Sequence, residues 1–79
     1  MNTLKYDNVT DVQRDKQQFV RKHIKGLVKA LDPCVTRVEY KIRDNEEFVV
    51  LSYGDRPDKF FCVTADSLVA LARDVLRGM

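Results

Sequence analysis

Tryptophan is absent from this chain, and cysteine, proline and histidine are scarce, with two, two and one residues among 79. Two cysteines at unrelated positions form no disulfide framework, so we expect a reducing, cytoplasmic setting. The apolar runs, such as residues 48–51, are only a few residues long. A membrane span needs about 20 apolar residues and a secretory signal core at least about 7. We therefore expect neither membrane association nor secretion.

The residue types that carry most catalysis and metal binding are equally sparse. His23 flanks the apolar stripe of a predicted helix, where a lone histidine usually makes local hydrogen bonds. Cys34 and Cys62 have no sequence neighbour that would lower a thiol pKa, and with His23 they match no zinc-site spacing. The three glycines form no phosphate-binding loop. We predict a protein that is not an enzyme and that uses no cofactor or metal.

What the chain does have is enough apolar surface for one small core, and an uneven charge. Hydrophobic residues make up 44% and charged residues 33%, which favours a folded domain over disorder. Residues 12–31 contain six basic residues and one acidic residue, a net charge of 6 − 1 = +5, whereas residues 32–79 carry 7 − 9 = −2. The excess positive charge is thus confined to one element.

That element is a predicted helix. Residues 10–13 (TDVQ) form a capping box, which predicts a helix start after Thr10, and Asp32-Pro33 predicts its end. Helical spacing predicts a buried face made of Val20, Ile24, Leu27, Val28 and Leu31. Gly26 interrupts the helix, and we interpret it as a close approach of the second helix near Ala72. Residues 1–9 show no periodicity and are expected to form a mobile arm or a short added strand.

The rest of the chain predicts three strands and a last helix. Residues 36–43 alternate between apolar and charged side chains, which is typical of a strand with one face in water. Residues 44–47 and 54–58 are predicted turns, and residues 48–53 and 59–63 are the second and third strands. Thr64 is the predicted N-cap of the last helix and Gly78 its C-cap. The apolar face of that helix comprises Leu68, Leu71, Ala72, Val75, Leu76 and Met79.

Together these elements predict a single α+β domain over residues 10–79, with the order α-β-β-β-α. Short connections make both strand pairings antiparallel. Two amphipathic helices and a three-stranded antiparallel meander give a two-layer sandwich, with the two helices packed on one face.

The first helix carries a basic face opposite its predicted core stripe. One interpretation is a solvated surface, in which the late lysines complement the helix dipole. That interpretation does not explain why acids are nearly absent, since exposed helices usually interleave both signs. We therefore predict nucleic-acid binding. The candidate contacts are Arg14, Arg21, Lys22, Lys25 and Lys29, with Arg37, Lys41 and Arg43 from the first strand.

The outer face of the sheet is a second candidate surface. An even-length first turn would pair Ile42 with Val49 and Tyr40 with Leu51, which leaves Phe48 and Val50 outside. Either Phe60 or Phe61 must also point outward, and the candidate interface comprises Phe48, Val50 and Phe61. Apolar residues edged by cations suit a base-stacking platform or a dimer contact. Alternatively, the N-terminal residues Leu4, Tyr6 and Val9 cover this patch.

The order of elements is similar to that of the double-stranded-RNA-binding domain. That family has a basic cluster at the start of its last helix and a Gly-Pro-x-His loop between its first strands. Residues 65–68 (ADSL) and 44–47 (DNEE) stand there instead, so only the order carries over. Residues 6–10 (YDNVT) with 13–15 (QRD), and 63–68 (VTADSL) with 72–76 (ARDVL), resemble short uncharacterised proteins of bacterial phages and integrated elements. This resemblance implies no known activity.

The sequence thus favours a small non-enzymatic interaction domain. The leading prediction is accessory nucleic-acid binding through the basic first helix. The alternative is a protein-interaction or homodimerisation module that uses the open sheet face. Salt separates the two, because phosphate contacts weaken steeply with ionic strength and apolar contacts do not.

Overall fold

The computed structural model of the protein describes residues 10–79, so the expected arm or strand at residues 1–9 lies outside the described residues. The first helix consists of α1 (Asp11–Phe19), a π segment (Val20–Ile24) and α2 (Lys25–Leu31). The strands are β1 (Val35–Arg43), β2 (Glu46–Tyr53) and β3 (Lys59–Cys62), and the last helix is α3 (Leu68–Gly78). The sheet is antiparallel with the order β1-β2-β3. The predicted α+β class and the order α-β-β-β-α are confirmed.

The first helix begins as the sequence predicts. Thr10 accepts the Gln13 backbone N–H through Oγ1 at 3.0 Å, and Gln13 Oε1 accepts the Thr10 N–H at 3.0 Å. This reciprocal capping box satisfies two backbone donors that a helix start otherwise leaves free. The helix ends at Leu31, and its C-cap Asp32 has an extended backbone (φ −139°, ψ 94°) ahead of Pro33.

The buried stripe of the first helix differs from the predicted one. It runs through Lys16, Val20, Ile24 and Val28, at a constant spacing of four residues. In a regular α-helix each such step advances about 40° around the axis, so the stripe would rotate away from the sheet. The π segment corrects this drift, because its hydrogen bonds span five residues, as from the Lys25 N–H to the Val20 carbonyl.

Two predicted core residues therefore lie outside the core. Leu27 and Leu31 are 44% and 62% exposed, since the stripe continues along the spacing of four instead of the regular α-helical phase. The interpretation of Gly26 is also wrong. A Cβ at that position would meet no heavy atom within 4 Å, so no close helix approach requires the glycine.

The first hairpin turn is two residues long, not four as predicted. Asp44 and Asn45 have φ angles of 52° and 68°, the positive values that a tight two-residue hairpin turn requires. β2 consequently begins at Glu46, and Tyr40 pairs with Val49 instead of Leu51. The register differs from the predicted one by two residues, so Tyr40 and Val49 keep their predicted core face, and Phe48 and Val50 their predicted outer face.

The last helix begins three residues later than predicted. Ser67 is its N-cap, and its Oγ accepts the Ala70 N–H at 3.2 Å. Thr64, the predicted cap, instead accepts the Glu47 N–H at 2.9 Å. Gly78 is the last residue of α3 and Met79 the C-cap. The Phe61 ring packs so closely that a Cβ on Gly78 would overlap it, which explains the glycine better than the predicted cap.

The core lies between the sheet and both helices. Its fully buried members are Val28, Val49, Leu51, Val63, Leu71 and Val75. The predicted face of α3 is confirmed for Leu71 and Val75, whereas Leu68 is 38% exposed. Among residues 10–79, no helix is both long and apolar enough to cross a membrane.

Candidate functional site

A groove of about 360 Å³ runs between the first helix and the edge strand β1. The helix contributes Gln17, Arg21 and Lys25 to its walls, and β1 contributes Arg37, Glu39 and Lys41. Its remaining lining residues are Val20, Val38 and Tyr40. We call this cavity the basic groove.

The sequence places these cations by two simple periodicities. Gln17, Arg21 and Lys25 each follow a residue of the buried stripe, so the π segment that keeps the stripe on the sheet also keeps these side chains beside β1. On β1, alternation sends Arg37 and Lys41 away from the core. Two elements distant in sequence therefore present charge of the same sign to one groove.

One carboxylate partly neutralises the basic groove. Glu39 lies 3.4 Å from Lys41 Nζ and 4.0 Å from Arg37 Nη1, and all three side chains are solvent-accessible. Such exposed pairs contribute under about 1 kcal/mol, so Glu39 binds the two cations only weakly. Arg21 and Lys25 form no salt bridge with any residue from 10 to 79. The lining carries four cations and one carboxylate, a net charge of 4 − 1 = +3.

The structure thus brings together four of the eight predicted nucleic-acid contacts. Arg14 lies outside the basic groove and pairs with Asp11 at 3.5 Å on the exposed surface of α1. Lys22 and Lys29 also lie outside it, although they belong to the same helix. Arg43 lines a different cavity, on the outer face of the sheet.

That second cavity has a volume of about 320 Å³ and is flanked by aromatic and charged side chains. Phe48 and Phe60 pack edge to face, with ring centroids 6.4 Å apart and an interplanar angle of 87°. Phe60 is 61% exposed, whereas Val50 between them is buried. Lys41, Arg43 and Asp58 complete the polar lining. We call this surface the outer aromatic patch.

Phe61, a predicted interface residue, is not on the outer face. It pairs with Val49 and packs against the core, whereas Phe60 pairs with Val50 and points outward. The β2–β3 register decides between the two, and the sequence pattern Phe60-Phe61 leaves it open. Phe48 and Val50 lie on the predicted face. The alternative cover by Leu4, Tyr6 and Val9 falls on residues outside the described part of the chain.

A buried ion pair, which the sequence patterns do not predict, lies behind the basic groove. Lys16 Nζ lies 2.8 Å from Glu47 Oε1 and donates to the Val63 carbonyl at 2.9 Å. Tyr40, which lines the groove, donates its hydroxyl to the same Oε1 at 2.7 Å, and Gln13 Nε2 lies 3.4 Å from Oε2. Extending the spacing of four back from Val20 indicates that Lys16 is buried, but it does not identify Glu47 as its partner.

The surroundings of this cluster shift two pKa values in opposite directions. Burial alone would raise the pKa of the Glu47 carboxyl, but hydrogen bonds from Lys16, Tyr40 and Gln13, together with the charge of Lys16, lower it. Burial, followed by the bond to Glu47 and its charge, raises the pKa of the Tyr40 hydroxyl. Lys16, Tyr40 and Glu47 all form hydrogen bonds within this cluster. We therefore interpret the cluster as structural support for the groove.

The three residues considered for catalysis or metal binding are all exposed. The His23 ring lies 5.5 Å from the Phe19 ring, centroid to centroid. Cys34 follows the first helix, and Cys62 ends β3 with its Sγ 3.4 Å from Thr64 Oγ1. Within the described range of 10–79, no group of three or more histidine, cysteine or acidic residues could hold a metal ion.

Comparisons with protein-family models, with curated proteins and with solved structures found no match to this chain. They therefore bear neither on the resemblance to phage-borne proteins nor on the order shared with the double-stranded-RNA-binding domain.

Proposed function

We propose that this protein binds the phosphate backbone of nucleic acids through the basic groove. The observation that carries the proposal is the convergence of Arg21 and Lys25 from the helix with Arg37 and Lys41 from β1 on one cavity. A groove with cations on both walls can contact the phosphates of a backbone from two sides. The exposed face of a single helix can contact them from one side only. Phosphate contacts of this kind supply most of the affinity in sequence-independent binding.

The number of cations sets the expected salt dependence. Four phosphate contacts predict a slope of log affinity against log salt of about −3.6 on duplex DNA and about −2.8 on single strands. The presence of Glu39 among the cations favours the weaker end of that range. No side chain of the groove is marked as a base reader, so we expect little dependence on sequence.

The test is a binding titration by fluorescence anisotropy with labelled single-stranded and duplex DNA and RNA, at low and moderate salt. The variant Arg21→Glu/Lys25→Glu changes the groove charge by four units at two exposed positions. It should fold normally, as judged by circular dichroism, and lose binding at every salt concentration. No binding by the wild type at low salt would overturn the proposal.

A matched control separates the groove from the general charge of the helix. Arg14→Glu/Lys22→Glu makes the same change in charge at two exposed positions outside the groove. It should retain most of the binding. Equal loss in both double variants would mean that the whole helix face attracts the ligand, and that the groove has no special role.

A second candidate function is protein interaction or self-association through the outer aromatic patch. The observation in its favour is the 61% exposure of Phe60. An apolar contact of this kind should persist in high salt. Light scattering at high micromolar concentration would detect a dimer, and Phe48→Lys should disperse it.

A further inference from the structure

Lys41 lines both the basic groove and the cavity of the outer aromatic patch. It can do so because β1 is an edge strand and Lys41 points away from the core, opposite Phe48. The two surfaces are therefore continuous around the edge of the sheet. A backbone that leaves Arg21 and Lys25 and passes Lys41 arrives beside Phe48 and Phe60.

The outer aromatic patch has an exposed aromatic ring with cations beside it, which suits the stacking of a nucleobase. The Phe60 ring is 61% exposed and is held by its edge-to-face contact with Phe48 at 6.4 Å. The lining contains two cations, Lys41 and Arg43, and one carboxylate, Asp58, which gives it a net charge of 2 − 1 = +1. A base stacked on an aromatic side chain contributes about 1–3 kcal/mol, regardless of which base it is.

Charge also discriminates between the possible occupants of the patch. In a two-fold dimer the same surface of both copies meets, so Lys41 and Arg43 of each copy would enter one interface. A nucleic acid is negatively charged, so Lys41 and Arg43 would attract it to the same surface. Duplex DNA meets the cations too, but its bases are stacked on one another and cannot lie on Phe60.

We infer that the ligand of the basic groove is a single-stranded nucleic acid, with one or more bases stacked on Phe60 and Phe48. This inference rests on the proposed function, because the groove supplies the phosphate contacts. It adds the substrate class, since only an unpaired strand can use both surfaces together.

The experiment compares three labelled probes of equal length: an oligothymidylate, a duplex and an abasic strand that keeps the sugar-phosphate chain without bases. The wild type should bind the oligothymidylate most tightly. Phe60→Ala should weaken that binding by about 5- to 150-fold, the equivalent of one stacked base. It should leave binding to the duplex and the abasic strand unchanged.

Two further variants make the result specific. Phe60→Leu keeps an apolar side chain without a ring and should weaken oligothymidylate binding as Phe60→Ala does. Val69→Ala truncates an apolar residue that is 75% exposed on α3 and lies outside both cavities, so it should have no effect. Circular dichroism checks that all variants fold.

The outcomes distinguish this inference from the proposed function. Equal affinity of the wild type for all three probes, or unchanged binding by Phe60→Ala, would overturn the single-strand inference and leave phosphate binding intact. Absence of binding to every probe would overturn both. A dimer that Phe48→Lys disperses would show that a second copy occupies the patch, and would also overturn the inference.

Discussion

Lys16 Nζ lies 2.8 Å from Glu47 Oε1, and the two side chains are almost completely buried. The same carboxylate oxygen accepts the Tyr40 hydroxyl, and Lys16 also donates to the Val63 carbonyl. This cluster joins α1, β1, β2 and the connection from β3 to α3. Tyr40 belongs to this cluster and also lines the basic groove, so a buried charge pair lies directly behind the groove.

The first prediction is that Lys16→Met strongly destabilises the fold. Removing one partner leaves the Glu47 carboxylate buried without its counter-charge, which costs about 3–5 kcal/mol. That is a large part of the total stability expected for a domain of this size, on the order of 5–10 kcal/mol. Urea unfolding followed by circular dichroism measures the loss.

Arg14→Met is the matched control, because it removes the exposed pair with Asp11 on the same helix. It should change the free energy of unfolding by less than about 1 kcal/mol. Lys16→Met/Glu47→Gln should recover part of the loss, since no buried charge remains uncompensated. Similar small effects of Lys16→Met and Arg14→Met would contradict the structural role of the buried pair.

The second prediction concerns acid. The pKa of Glu47 is lower in the folded protein than its ordinary value of about 4.3. The stabilisation from this carboxylate is therefore fully present above about pH 4.3 and is lost as the pH falls through the lower folded-state pKa. Unfolding free energies measured from neutral to acidic pH should show this loss in the wild type.

Glu47→Gln should be less stable at neutral pH and should flatten the acid dependence. Glu46→Gln is the control, since Glu46 is the exposed neighbour in the same strand. It should reproduce the wild-type profile. An unchanged acid slope in Glu47→Gln would mean that other carboxyl groups cause the acid sensitivity.

The sequence predicts the fold wherever one local rule decides. The capping box, the alternation of β1 and the face of α3 around Leu71 and Val75 are set by neighbouring residues, and the structure has them. The π segment is different, because its effect is to keep Lys16, Val20, Ile24 and Val28 on the sheet side of the helix, which no capping or spacing rule between neighbouring residues specifies. A regular α-helical phase therefore places Leu31 inside and gives no reason to bury Lys16.

The candidate site divides in the same way. The sequence identifies Arg21, Lys25, Arg37 and Lys41 as exposed cations. It does not show which cations of the first helix face β1. The orientation of the helix on the sheet places Arg21 and Lys25 in the basic groove and leaves Lys22 outside it. The sequence predicts a turn over residues 44–47, which places Glu47 in a loop. Its burial depends on Lys16, 31 residues away in the sequence, which no local pattern reveals.

The third prediction uses two glycines with opposite surroundings. Gly26→Ala should raise the free energy of unfolding by about 1 kcal/mol, since alanine favours the helix and its Cβ meets no atom within 4 Å. Gly78→Ala makes the same change in the last turn of α3 and should destabilise, because the added Cβ overlaps the Phe61 ring. Thermal unfolding of the wild type and both variants measures the two changes in stability. A stabilising Gly78→Ala would contradict the packing of Phe61 on α3.

The last prediction concerns the two-residue turn of the first hairpin. Asn45 has a φ of 68°, a conformation that glycine adopts freely and a β-branched residue avoids. Asn45→Gly should therefore be neutral or stabilising, whereas Asn45→Val should cost about 1–2 kcal/mol. Asp55→Val is the control, because Asp55 lies in the other loop and has no positive φ. Chemical denaturation should rank Asn45→Gly above Asp55→Val, and Asn45→Val last. Equal stability of the two valine variants would contradict the positive φ of Asn45 and the two-residue turn that depends on it.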